Sequence, residues 1–158
     1  MALGFPAPAA AVACAAGVYV LSISSASPLS AQAGSPKSIW TGTFTAKQAD
    51  RGLLAYERAC SKCHQSDLQG SQDSEAPALV GEPFTAQWGG QSIKDLFDKV
   101  STKMPADKPG SLSANASLDI VAYLLQANGF PAGGDELDLT APSLAPVIAE
   151  KRPSGTKP

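Results

Sequence analysis

Five consecutive residues, Cys60-Ser61-Lys62-Cys63-His64, constrain this chain more than any other stretch. Two thiols three positions apart can both reach one edge of a flat partner. A histidine directly after the second thiol can swing its imidazole beneath that partner's face. The C-x-x-C-H spacing is the pattern of covalent haem attachment, in which each thiol adds across a vinyl group and the imidazole ligates iron.

The rest of the composition removes competing chemistry. His64 is the single histidine of 158 residues, so a second imidazole ligand within the chain is excluded. A zinc site would need a fourth Cys or His beside Cys60, Cys63 and His64, and the chain after its leader has none. A Cys60–Cys63 redox dithiol is the remaining alternative, but such motifs accompany a βαβ pattern that is missing here. Three cysteines are too few for a disulfide framework. The net charge of -2, with no basic stripe, gives no sign of nucleic-acid binding.

The first 36 residues carry no charge. An apolar run from 9 to 21 suits a signal-peptide core and is too short to span a membrane. Ala31-Gln32-Ala33 offers the small-residue cleavage site, which makes 1–33 a signal peptide and Cys14 part of it. No Lys or Arg precedes the apolar run, so an uncleaved membrane anchor is the alternative. With the leader removed, no membrane span is expected, and export to the periplasm fits haem attachment outside the cytoplasm.

Residues 34–44 read as a flexible lead-in, with Ile39 and Trp40 at the domain edge. Thr45 is a good N-cap for a helix from Ala46 to Ala59 or Cys60. Ala49, Leu53, Tyr56 and Cys60 recur at helical spacing and predict the buried face. Gly52 interrupts that helix and suggests close approach of a second one. Residues 65–91 carry the Gly/Pro punctuation of a loop. A loop this long is reasonable if it wraps a prosthetic group, with Leu68, Leu79, Phe84 and Trp88 facing it or packing. Ser92 caps a helix over 93–100, where Ile93, Leu96, Phe97 and Val100 form one stripe. Ser113 caps another from Ala114 to Asn128, stopped by Gly129, with Leu118, Val121, Ala122 and Leu125 inward. The Pro-rich segment 135–158 has no helical period. It wraps the domain through Leu137, Leu139, Leu144, Val147 and Ile148, or docks on a partner, with disorder expected over 151–158.

Met104 is the only methionine beyond the leader, and it sits in a Pro/Gly-rich loop, not on a helix face. Pro105 biases it toward an extended backbone, which suits presentation of a thioether to iron. The sixth position therefore belongs to Met104, to a lysine, or to nothing. Met104 is the leading candidate, because His/Met ligation raises the reduction potential and suits electron transfer. An open position would instead make a haem enzyme or gas sensor.

With these residues in place, 45–134 resembles a class I c-type cytochrome. The matching points are Gly52 and Tyr56, Cys60-Ser61-Lys62-Cys63-His64, Ala76-Pro77-Ala78-Leu79, Lys103-Met104-Pro105 and Ala122-Tyr123-Leu124-Leu125. Pro109-Gly110-Ser111-Leu112-Ser113 and the stretch 127–133 are similar to cytochrome domains and subunits that accompany PQQ-dependent dehydrogenases. The resemblance implies an all-α fold of three or more helices around one covalently attached haem c, with the first and last helices crossing. It implies that Pro77 positions the proximal histidine and that His64 and Met104 are the axial ligands. The function implied is a periplasmic one-electron carrier, not an enzyme, with a dehydrogenase as donor and an oxidase or other cytochrome as acceptor.

Overall fold

The helices begin where short polar side chains satisfy their first free N–H groups. The Thr45 hydroxyl accepts from Gln48 N–H, Ser92 from Asp95 N–H and Ser113 from Ala116 N–H. These caps open α1 (Ala46–Ala59), α4 (Ile93–Lys103) and α5 (Ala114–Ala127). Ser92 and Asp95 form a full capping box, because the Asp95 carboxylate also accepts from Ser92 N–H. Three shorter helices complete the set: α2 (Ser61–His64), α3 (Glu82–Trp88) and α6 (Ala141–Leu144). This computed structural model describes Met1, Leu3, Gly4 and residues 38–148. The chain divides into two units, Met1–Gln32 and Ala33–Pro158, and the elements above belong to the second. The apolar run 9–21, the cleavage site, Cys14 and the 151–158 end lie outside the described residues.

Among the described residues there is no strand, only the isolated bridges Ser71↔Ala76 and Ser92↔Val147. The fold is all-α. Its central contact is α1 against α5. A methyl group on Gly52 would lie 1.8 Å from the Asp119 carbonyl oxygen and 2.8 Å from Tyr123 Cβ. Only glycine allows the two backbones to come this close. Arg51, one residue earlier, forks between Asp119 at 2.9 Å and Glu136 at 2.9 Å, and so ties α1 to α5 and to the segment beyond it.

The buried face of α1 agrees with expectation at Ala49 and Tyr56 but not at Leu53. Gln48, Ala49, Gly52 and Tyr56 are inside, whereas Leu53 is 39% exposed. The glycine takes the seam position, which turns Leu53 one residue out of the interface. The stripes of α4 and α5 agree with expectation: Ile93, Leu96 and Val100 are buried, as are Leu118, Val121, Ala122 and Leu125.

Two other expectations need correction, and a third is met except at one residue. The described part of the lead-in is packed: Ser38 caps a 3-10 turn at Ile39–Thr41, Ile39 and Phe44 are fully buried, and the Trp40 ring packs at a tilt 4.9 Å from that of Phe130. The supposed loop 65–91 contains α3. Gly81 and Pro83 look like loop punctuation, but proline is accepted in the first helical turn, where its missing N–H has no intrahelical partner to lose. The segment 135–148 wraps the domain through Leu137, Leu144 and Ile148, while Leu139 is left 58% exposed. Ile93 N–H donates to Pro146 O at 2.9 Å, and Ile148 N–H to Gln91 O at 2.7 Å, which secures this segment to the start of α4.

Two stability measurements test this packing. Gly52→Ala is expected to cost about 3 kcal/mol in urea unfolding, because backbone must shift to admit the methyl group. Gly134→Ala, with nothing within 4 Å of the added carbon, is the control and should change little. Ser92→Ala should cost about 1 kcal/mol through loss of the cap. Hydrogen bonds from Ser92 hold the Asp95 carboxyl below its ordinary value of 3.8 in the folded protein. A group depressed on folding stabilises above its unfolded value, so this contribution should be present in full at neutral pH, start to fade below about 4 and be lost as pH falls through the lower folded value. Loss of stability from Ser92→Ala that is the same at pH 3 and pH 7 would contradict the capping box.

Candidate functional site

The five-residue motif lies where α1 ends. Cys60 N–H donates to Tyr56 O at 2.8 Å, which closes the last turn of α1, and the chain then winds into α2. Gln65, with φ +62, ends α2 and turns the chain back on itself. Tyr56 holds this turn from below: its hydroxyl donates to Gln65 O at 2.7 Å, and its ring packs 5.3 Å from Tyr123 on α5. Burial pushes the Tyr56 phenol well above its usual value, so it remains a donor at physiological pH.

Cys60 is half-buried and Cys63 exposed. Burial, followed by the neighbouring Cys63 charge, pushes the Cys60 thiol up to about 11. A redox dithiol needs the opposite shift, toward thiolate. The raised value, in surroundings built of helices, weighs against the dithiol alternative.

His64 is 8% exposed, and its Nδ1 lies 2.9 Å from Pro77 O. A carbonyl oxygen only accepts, so this contact requires the proton on Nδ1 and leaves the Nε2 lone pair available. Metal-binding histidines are held in this way, with the far nitrogen donating to a backbone carbonyl.

Met104 caps the C-terminus of α4 with an extended backbone, φ -118 and ψ 151, as its place before Pro105 predicts. It is half-buried. Cys60, Cys63, His64 and Met104 all line one cavity of about 670 Å³. That volume falls within the range of about 300–1,000 Å³ typical of cofactor pockets. The sequence separates Met104 from His64 by 40 positions; the fold brings them to the same space.

The remaining wall is apolar where it is deep, with Leu79, Leu96, Val100, Ile120 and Leu124. Leu79 and Trp88 line the cavity as expected. Leu68 and Phe84 do not; they are buried in the protein core instead. Leu96 and Val100 were legible only as core residues, and Ile120 and Leu124 flank the stripe read on α5. Their stripes serve both roles, since one flank packs on protein and the other faces the cavity. No local sequence signal separates the two flanks. A large apolar cavity with one oriented imidazole, two thiols at its edge and one thioether is a donor set that fits a c-type haem.

The family described as cytochrome C oxidase, cbb3-type, subunit III matches residues 47–124. The fructose dehydrogenase cytochrome subunit of Gluconobacter japonicus is 38% identical over 69 residues, which cover 39% of this chain and 14% of that protein's own length. Among solved structures, the sulfane dehydrogenase SoxCD of Paracoccus pantotrophus aligns over 52% of this chain and 44% of its own, with a TM-score of 0.45 and 23% identity. Residues 47–124 form a c-type cytochrome domain, akin to one that serves a dehydrogenase. Residues 47–124 thus match an electron-transfer family, which implies haem c as the cofactor.

Proposed function

We propose that this chain carries single electrons on one haem c, bound through thioether bonds at Cys60 and Cys63, with His64 and Met104 as axial ligands. The observation that carries the reading is the convergence of these four residues on one cavity, with the His64 ring already oriented by Pro77. Bound there, haem iron would supply a reversible one-electron couple. The protein's part is to set its potential and exclude water. The Leu and Val side chains of α4 and α5 lower the local dielectric. Pro77 O keeps the imidazole basic and fixed, and the Met104 sulfur favours the ferrous state.

The reading extends to location and partners. The uncharged leader with its A-x-A site supports export to the periplasm, with 1–33 removed, 45–134 as the haem domain and 135–158 as its tail. No helix among the described residues is long and apolar enough to cross a membrane. The likeness to a fructose dehydrogenase cytochrome subunit supports a dehydrogenase as electron donor, with an oxidase or another cytochrome as acceptor. Contacts between such partners are typically small and brief, which suits a carrier.

Two experiments test the ligands. The oxidised protein should show the weak far-red sulfur-to-iron charge-transfer band, and Met104→His should abolish it and lower the midpoint potential. High-spin features in the wild type, with no such band, would assign the chain to the open-site haem proteins instead. Replacing both Cys60 and Cys63 with Ala should release the haem into acid-organic solvent. Haem that stays with the polypeptide would refute these attachment points.

A further inference from the structure

We infer that Asn128, at the C-terminal end of α5, is a positioning residue for the proximal ligand: it holds the backbone segment whose Pro77 carbonyl orients His64. This rests on the reading of His64 as the haem ligand.

The segment 76–81 has no helix or strand to support it, yet each end is pinned. At its start, Ala76 exchanges both backbone hydrogen bonds with Ser71, at 2.9 and 3.0 Å. Gly70 packs so tightly there that a methyl group would meet Ala76 O at 2.3 Å. At its far end, Leu79 N–H donates to Leu68 O at 2.7 Å. The Leu79 carbonyl then accepts from Asn128 Nδ2 at 2.9 Å, and Gly81 N–H donates to Asn128 Oδ1 at 3.0 Å. One side-chain amide thus supplies a donor and an acceptor to a stretch of backbone that belongs to no helix or strand. Its second amide proton bonds Leu124 O at 2.8 Å, so the side chain is itself fixed to α5. Pro77 lies between the two pins, and its carbonyl is the one that meets His64 Nδ1.

A terminal residue of a helix is usually a boundary with little consequence for chemistry. Asn128 differs because its amide links α5 to the proximal side of the cavity, 64 positions away from His64 in sequence. Removing it frees the Leu79 carbonyl and the Gly81 N–H, leaves the Leu79 N–H bond to Leu68 O as the remaining pin at this end, and keeps α5, Met104 and the cysteines in place. The expected consequence is a longer or broken Pro77–His64 hydrogen bond. A less basic imidazole stabilises ferric iron less, so the potential should rise.

The experiment compares haem-loaded wild type, Asn128→Ala, Asn128→Asp and Gln48→Ala by redox titration and proton NMR. Asn128→Asp keeps an oxygen for Gly81 N–H but removes the donor to Leu79, so either Asn128 variant tests the clamp if the other folds poorly. Both are expected to speed solvent exchange of the His64 Nδ1 proton, and Asn128→Ala, which adds no charge, is expected to raise the midpoint potential. Gln48→Ala removes the amide that holds Leu137 and is the control for general loosening; its potential should match wild type. Unchanged potential and exchange in the Asn128 variants would overturn the inference, as would an equal shift in Gln48→Ala. Hyperfine-shifted His64 ring protons in the ferric wild type establish the ligand reading separately. Their absence would overturn that reading, and the clamp with it, before any variant is compared.

Discussion

The α1–α5 crossing is the constraint on which the rest of the domain depends. Gly52 lets the backbone of α1 rest on the Asp119 carbonyl, and Arg51 and Tyr56 then find partners on the same neighbour. From this crossing both helices run on to the cavity. The end of α1 delivers Cys60 and the turn of α2, while α5 supplies Ile120 and Leu124 to the wall and Asn128 to the proximal segment. A change in the crossing distance would therefore move the thiols relative to the opposite wall. This explains why the glycine is worth its cost in helix propensity, about 1 kcal/mol relative to alanine.

Those parts of the fold that rest on local physics were legible in the sequence. Thr45, Ser92 and Ser113 could be read as caps, since capping involves only the next three residues. The stripes on α4 and α5 are equally local. Met104 was legible as a candidate because a proline follows it and no other methionine competes beyond the leader. Leu53, by contrast, was placed on the wrong face because periodicity counts a glycine as a gap, whereas here the glycine is the contact. Helix α3 was missed because Gly81 and Pro83 mark a loop and a helix start alike. Phe84 shows the same limit: in a loop it could face the cavity or pack, and as part of α3 it packs in the core.

The cavity itself shows why motif and core had to be read together. Five residues name the cofactor chemistry, but its containment falls to residues that carry no motif. Leu96, Val100, Ile120 and Leu124 would be ordinary core in a domain without a prosthetic group. A c-type haem domain of this size uses the group as part of its interior, so the distinction between core and site has little meaning along these stripes. The same dual use accounts for the scarcity of polar side chains in the deep wall. An electron carrier gains from low reorganisation around the iron, and a dry apolar lining supplies it.

The irregular segments pose a separate problem, because buried backbone groups must find hydrogen-bond partners without a strand ladder. The domain solves it twice with the same device. Gln48 on α1 donates through Nε2 to Leu137 O at 2.9 Å and accepts at Oε1 from Leu137 N–H at 2.8 Å. Asn128 does the equivalent for Leu79 and Gly81. In both cases a primary amide, which carries a donor and an acceptor side by side as a peptide unit does, stands in for an absent strand. Each lies far in sequence from the backbone it holds, 89 positions for Gln48 and 49 for the Asn128–Leu79 pair. Such pairings leave no local pattern, and an isolated Asn at a helix end reads as an ordinary stop. The two amides nevertheless fix segments with different tasks. Gln48 secures the wrapping segment over the α1 side, whereas Asn128 secures the segment that carries Pro77. The first contributes stability alone; the second reaches, through one carbonyl, the histidine at the centre of the motif.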